Sequence, residues 1–151
     1  MTLVDAAIYA THLVFAGLWS GTVLFTSYAV VPTALAGDLR ATPLETVTGK
    51  LRTVSRASAV LLLLTGGHLA ATRYSAESLF GSGRGHLVLT MVVLWFALAA
   101  LVEMGAARLA DGVAQQKVRQ PAADARPFLL AASVVAVLLL IDAGAILGLY
   151  Y

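Results

Sequence analysis

Apolar residues run almost unbroken through four stretches of this chain, at about 3–31, 56–71, 86–107 and 128–150, with short polar connections between them. Each approaches the roughly 20 mostly apolar residues that a helix needs to cross the hydrocarbon core of a bilayer. The second stretch is the shortest and draws on its polar flanks. With those flanks the pattern predicts helices over about 3–32, 43–73, 85–119 and 126–150, in one transmembrane domain spanning 1–151. The expected architecture is an all-α, integral membrane four-helix bundle.

Local signals place the ends of these helices. Pro32 is expected to stop the first, and Gly37-Asp38 marks a turn. Thr42-Pro43-Leu44-Glu45 reads as a capping box, with threonine as cap, proline at the first helical position and Glu45 reaching back. Gly81-Ser82-Gly83 predicts a flexible loop, and Gln120-Pro121 is expected to end the third helix. The first stretch lacks a preceding Lys or Arg and is longer than a signal core of about 7 to 15 residues, so it is read as a permanent helix.

Composition agrees with this reading: of 151 residues, 60% are hydrophobic and 12% charged, far from the balance of a soluble domain. Cysteine is absent, which excludes disulfides, thiolate metal sites and covalent c-type haem. The net charge of +2 lies in scattered single residues with no basic run, so nucleic acid is not an expected partner. Arg40, Lys50, Arg52 and Arg56 flank the first connection and Arg108, Lys117, Arg119 and Arg126 the third, against Arg73 and Arg84 on the other side. That asymmetry predicts cytoplasmic first and third connections, with both termini outside the plasma membrane.

Ionisable groups within such segments are expensive and point to function. His12, His68, His86 and Asp142 are of this kind, and they form two pairs at the same separation: His12 to His86 and His68 to Asp142 are both 74 positions. The same shift places Arg52 on Arg126, Ala57 on Ala131, Val60 on Val134 and Leu64 on Leu138. A duplicated helical hairpin would explain the coincidence, as would chance matching of apolar helices. Counted from the cytoplasmic ends at about 1.5 Å per residue, His12 and His86 lie roughly 30 Å up and His68 and Asp142 roughly 24 Å. All four therefore belong to one outer layer.

Asp5, His12 and Trp19 recur every seven residues on one helical face, with Ala16 and Gly17 beside them; Gly66 and Gly67 precede His68, and Thr90 lies one turn from His86. Small residues next to imidazoles suggest a slot for a flat cofactor. A neutral imidazole ligates haem iron or copper well, and Asp142 could orient such a ring and tune its metal. The alternative is that each histidine only hydrogen-bonds between helices or meets headgroup water. Glu103, near the cytoplasmic end, reads as an interfacial ion pair with Arg52, Arg56 or Arg108, and Trp19, Trp95, Tyr150 and Tyr151 as packing or interface aromatics.

The run His12-Leu-Val-Phe-Ala-Gly-Leu-Trp19-Ser-Gly21, followed by Gly85-His86-Leu87 at the start of the third helix, resembles the copper-resistance protein D family and the related HemJ-type protoporphyrinogen oxidases. The resemblance implies haem b or copper. In the HemJ-type enzymes a first-helix histidine and a third-helix lysine hold haem b; the histidine falls on His12, but the lysine position is Val88, which argues against the oxidase activity.

The leading expectation is thus haem b held by His12 and His68 in the outer half of the bundle, serving electron transfer or a haem-linked redox step of oxidoreductase type. His86 is the reserve ligand, Ala16 and Gly67 line the slot, and Arg73 and Arg84 meet the propionates. The alternatives are a copper permease using His12, His68 and His86, and a non-catalytic subunit of a larger membrane complex. Besides the lipid bilayer, the partners left open are a redox protein, such a complex, or a second copy of the chain.

Overall fold

The computed structural model describes residues 2–149. Four long helices and one short one account for nearly all of them: α1 (Leu3–Ala36), α2 (Ala41–Arg73), α3 (Ala76–Gly81), α4 (Gly83–Val113) and α5 (Arg119–Leu149). The four long helices are each apolar enough and long enough to span a membrane, and no strand occurs among the described residues. The chain is an all-α membrane bundle. α1 packs on α2 and α5, and α4 likewise packs on α2 and α5, so α1 and α4 stand at opposite corners. The helices alternate in direction, which gives the bundle a terminal end, near Thr2 and Leu149, and a loop end holding the 37–40 and 114–118 connections.

Several helix ends differ from the sequence expectations, each for a local reason. Pro32 does not stop α1, which continues to Ala36. The turns before it, Thr26–Val30, widen into a π-helical segment in which the Val31 N–H reaches back to the Thr26 carbonyl, relaxing the helix where the proline ring needs room. α1 instead ends at Gly37, whose left-handed φ of 86° suits glycine, and the Arg119 guanidinium donates to the exposed Ala36 carbonyl at 3.0 Å. The Thr42 capping box does not form. α2 starts at Ala41 with Arg40 as its cap residue, because Leu39, Ala41 and the fully buried Leu44 pack into the core and draw the chain into helix earlier.

Reciprocal caps occur elsewhere, between Thr2 and Asp5 and between Ser75 and Ser78. The latter opens α3, a short helix within the stretch expected to be a loop. α4 ends at Val113, earlier than expected, and α5 begins at Arg119, so Pro121 sits in its first turn and Pro127 inside it. Ala122 and Ala125 are fully buried, and Gly112 of α4 leaves just the space that the Pro121 ring fills, so this polar stretch is held by packing. Tyr150 and Tyr151, expected to be interface aromatics, lie outside the described residues.

The core lies towards the loop end. Val23, Val31 and Ala34 of α1, Leu44 and Leu51 of α2, Val102, Ala106 and Leu109 of α4 and Leu129, Ala132 and Ala136 of α5 are essentially inaccessible. Alanine and glycine bring α4 and α5 close: a Cβ on Gly105 would come within 2.8 Å of the Leu129 side chain. Ser27, within the widened part of α1, shares its hydroxyl proton between the Val23 carbonyl at 2.8 Å and the Leu129 carbonyl at 2.9 Å, which links α1 to α5. At the same end Arg56 of α2 grips Glu103 of α4 through two parallel bonds, Nε to Oε1 at 2.7 Å and Nη2 to Oε2 at 3.0 Å. Glu103 is thereby an ion-pair partner, as its position near Arg52, Arg56 and Arg108 suggested.

Candidate functional site

Towards the terminal end the four long helices separate around a cleft of about 340 Å³ to which all of them contribute. Its walls are mainly apolar, from Leu62 and Leu69 of α2, Val88 and Val92 of α4 and Leu139, Ala143 and Ile146 of α5. Ala16, Gly17, Gly66 and Gly67 also line it, and a Cβ added at Gly17 or Gly67 would meet no atom within 4 Å. These small residues leave space open where bulkier ones would fill it.

A single imidazole lines this cleft, that of His12, and its hydrogen bonding decides which nitrogen keeps a lone pair. His12 Nδ1 lies 2.8 Å from Thr65 Oγ1 on α2, while Thr65 Oγ1 lies 2.6 Å from the Leu61 carbonyl. A carbonyl can only accept, so the hydroxyl proton of Thr65 goes to Leu61 and its oxygen must accept from His12. His12 is therefore the Nδ1–H tautomer, and its Nε2 keeps an unshared pair. Gly66 lets the ring sit there, since its Cβ would approach His12 Cε1 to 3.1 Å. An imidazole anchored through one nitrogen with the other left basic is the arrangement found at metal-ligating histidines.

The other sequence candidates divide into those at the cleft and those away from it. Ala16, Gly67, Arg73 and Arg84 line it together with His12. Arg73 lies over the Tyr9 ring at 5.6 Å and Arg84 over Tyr74 at 5.9 Å, which sets two guanidinium groups at the terminal mouth on aromatic supports. His68 is exposed on the outside of α2, 4.0 Å from Asp5 Oδ1, and does not line the cleft. His86 is exposed as well; its Nε2 donates to the Phe80 carbonyl at 2.9 Å, which ties α4 to the end of α3. His12, His68 and His86 thus point in three directions, and among the described residues no group of three His, Asp or Glu side chains comes together.

Asp142 is buried on α5, with Oδ2 lacking a protein hydrogen-bond partner, next to the cleft-lining Ala143 but not itself in the lining. Of the seven-residue face on α1, His12 and Trp19 line the cleft, whereas Asp5 bonds Thr2 at the helix start. The positions equated by the 74-residue shift fare unequally: Val60 and Val134 both face outward, as do Leu64 and Leu138, but His12 and His86 occupy unlike surroundings.

Two groups read from sequence as packing aromatics belong to this site. Trp19 and Trp95 line the cleft, and the indole N–H of each is buried without a protein acceptor. Buried donors normally find partners, so two unpartnered indole N–H groups in the wall of one cleft set it apart from the packed half of the bundle. Met91, between Val88 and Trp95 on the same face of α4, contributes the cleft's sole thioether among the described residues. Comparison with protein-family models, with curated proteins and with solved structures finds no match.

Proposed function

We propose that this membrane protein binds one haem b in the cleft, with His12 Nε2 as an axial ligand, and serves electron transfer or a haem-linked redox step. The observation that carries the reading is the His12–Thr65 contact: the Thr65 oxygen, whose own proton goes to Leu61, accepts from Nδ1–H and leaves Nε2 with its lone pair in a side chain that lines the cleft. The other residues present suit the same group. Apolar walls and two indoles suit a macrocycle, small residues on α1 and α2 give it room, and Arg73 and Arg84 at the mouth suit two propionates.

Bound haem would supply one-electron chemistry, and the protein's part is to set its surroundings. Thr65 would hold the imidazole plane, the apolar walls would exclude water, and the arginines would neutralise carboxylates at the rim. A copper site built from His12, His68 and His86 finds less support, because the three imidazoles diverge and His86 already donates its Nε2 proton to a carbonyl. Titration of the purified chain with hemin tests the reading. One Soret-absorbing haem per chain is expected for the native protein and none for folded His12→Ala; equal binding by both would overturn it.

The Lys and Arg asymmetry supports an orientation with both termini outside the plasma membrane, which places the cleft in the outer leaflet. Cysteines introduced at Thr2 and Gln116 report it through an impermeant reagent applied to intact cells. Labelling at position 2 alone is expected, and labelling at position 116 alone would invert the topology.

A further inference from the structure

We infer that Met91 is the second axial ligand of the haem, opposite His12; the assignment rests on the haem reading above. Bundle geometry places the two side chains at one depth. Ser27 of α1 and Gly105 of α4 both meet Leu129 of α5, which marks one level common to the three helices. From that level towards the terminal end, His12 is 15 residues along α1 and Met91 is 14 residues along α4. At about 1.5 Å per residue these are roughly 22 and 21 Å, the same depth to well within one helical turn.

The two helices are also the right pair. α1 and α4 stand at opposite corners of the bundle, each packed on α2 and α5, so side chains from them enter the cleft from facing sides. Axial ligands must straddle the ring in this way, and His68 on α2, which lies on the outer surface, does not. Arg84 lies seven residues beyond Met91, and Arg73 eight beyond Thr65, so both guanidinium groups sit at one height above the ligand layer, where the propionate edge of an upright ring would reach.

The donor chemistry selects Met91 from the remaining candidates. Apart from His12, the described lining residues that carry a lone-pair donor suited to iron are Met91, the phenols Tyr9 and Tyr74, and Ser20. A phenol or hydroxyl binds well only after losing a proton, which creates a charge in an apolar cleft. A thioether binds as a neutral, polarizable ligand without that penalty. Histidine with methionine also holds haem at a higher potential than two histidines, which suits a carrier that accepts electrons readily.

The test uses the full chain loaded with hemin, read by optical absorption, electron paramagnetic resonance and a redox titration. Native protein should be six-coordinate and low-spin, with the ferric thioether charge-transfer band. Met91→Leu, which conserves volume, should keep one haem per chain but become high-spin. Met91→His should restore a low-spin state, lose the charge-transfer band and shift the midpoint potential downward. A native spectrum retained in Met91→Leu, or a high-spin native protein, overturns the assignment of Met91 and leaves His12 standing. Failure of the native chain to take up any haem overturns the haem reading and this inference together.

Discussion

The two halves of the bundle use the same small residues for opposite ends. At the loop end, Gly105 and Gly112 are occupied space: a side chain on the first would meet Leu129 and on the second Pro121. At the terminal end, Gly17, Gly67 and Gly144 meet nothing within 4 Å. Burial follows the same division. Beyond the level of Trp19 and Ser20, the buried ones among the described residues of the terminal half are Leu62, Gly85 and Asp142, whereas the loop half holds nearly the entire core. One half brings helices together through buried alanines and glycines, and this supplies the stability. The other holds them apart around His12, and stability must be borrowed from the packed half or from whatever fills the cleft.

Substitutions that exchange these roles should expose the difference, and the largest effect is expected in the packed half. Gly112→Val would drive a side chain into the Pro121 ring and should destabilise the protein by about 1–3 kcal/mol. Thermal unfolding in detergent measures it, with Gly67→Ala, on the open side, expected to unfold like the native chain. Comparable losses from both would mean that the terminal half is packed as tightly as the loop half.

The next effect belongs to the open half. Thr65→Val removes the acceptor of the His12 Nδ1 proton and frees the ring to change tautomer, so haem affinity should fall by about tenfold or more while the unfolding temperature of the haem-free protein changes little. An unchanged affinity would separate the Thr65 contact from ligation. The smallest effect is expected at the Arg56–Glu103 pair, whose side chains are 66% and 38% exposed. Glu103→Gln should lower stability modestly and leave haem content intact, and loss of haem in a folded variant would tie this pair to the site after all.

The four spans were legible in the sequence because length and hydropathy suffice to specify a crossing helix. Their ends were less so. The capping signal at Thr42 and the stop at Pro32 are local, and each yielded to packing of Leu39, Leu44 and Ala34 against the core. The depth counted from sequence did not carry over: His12 lies level with Thr65, so His68, three residues further along α2, stands about 4.5 Å nearer the terminal end, the reverse of the order counted, and the direction of each side chain could not be counted at all. In a soluble helix an apolar stripe marks the inward face. Here the lipid side is as apolar as the core, so nothing in the hydropathy pattern distinguishes His12, which faces the cleft, from His68, which faces outward.

Residue spacing along α2 carries part of the missing signal. Gly66, Leu69, Ala70 and Arg73 recur at three and four positions and all line the cleft; Thr65, one turn before Leu69, reaches across to His12, and His68 falls off that face. His86 follows Gly85, where a Cβ would collide with the Leu79 carbonyl, and it is exposed and bonded to the Phe80 carbonyl at the end of α3. The indoles of Trp19 and Trp95 carried no sequence mark of their buried, unpartnered N–H groups, because tryptophan serves packing, interface and ligand contact alike.

The proposed haem binding would depend above all on the His12 imidazole reaching iron from inside the cleft, and chemical rescue addresses that most directly. In His12→Gly the imidazole is removed and its volume becomes part of the cavity, so free imidazole has a place to bind. Hemin added to this variant should give no native-like Soret spectrum until imidazole is supplied, and then recover that spectrum at one haem per chain. A folded His12→Gly protein that shows the native spectrum without imidazole, or that fails to regain it at saturating imidazole, would contradict ligation by His12.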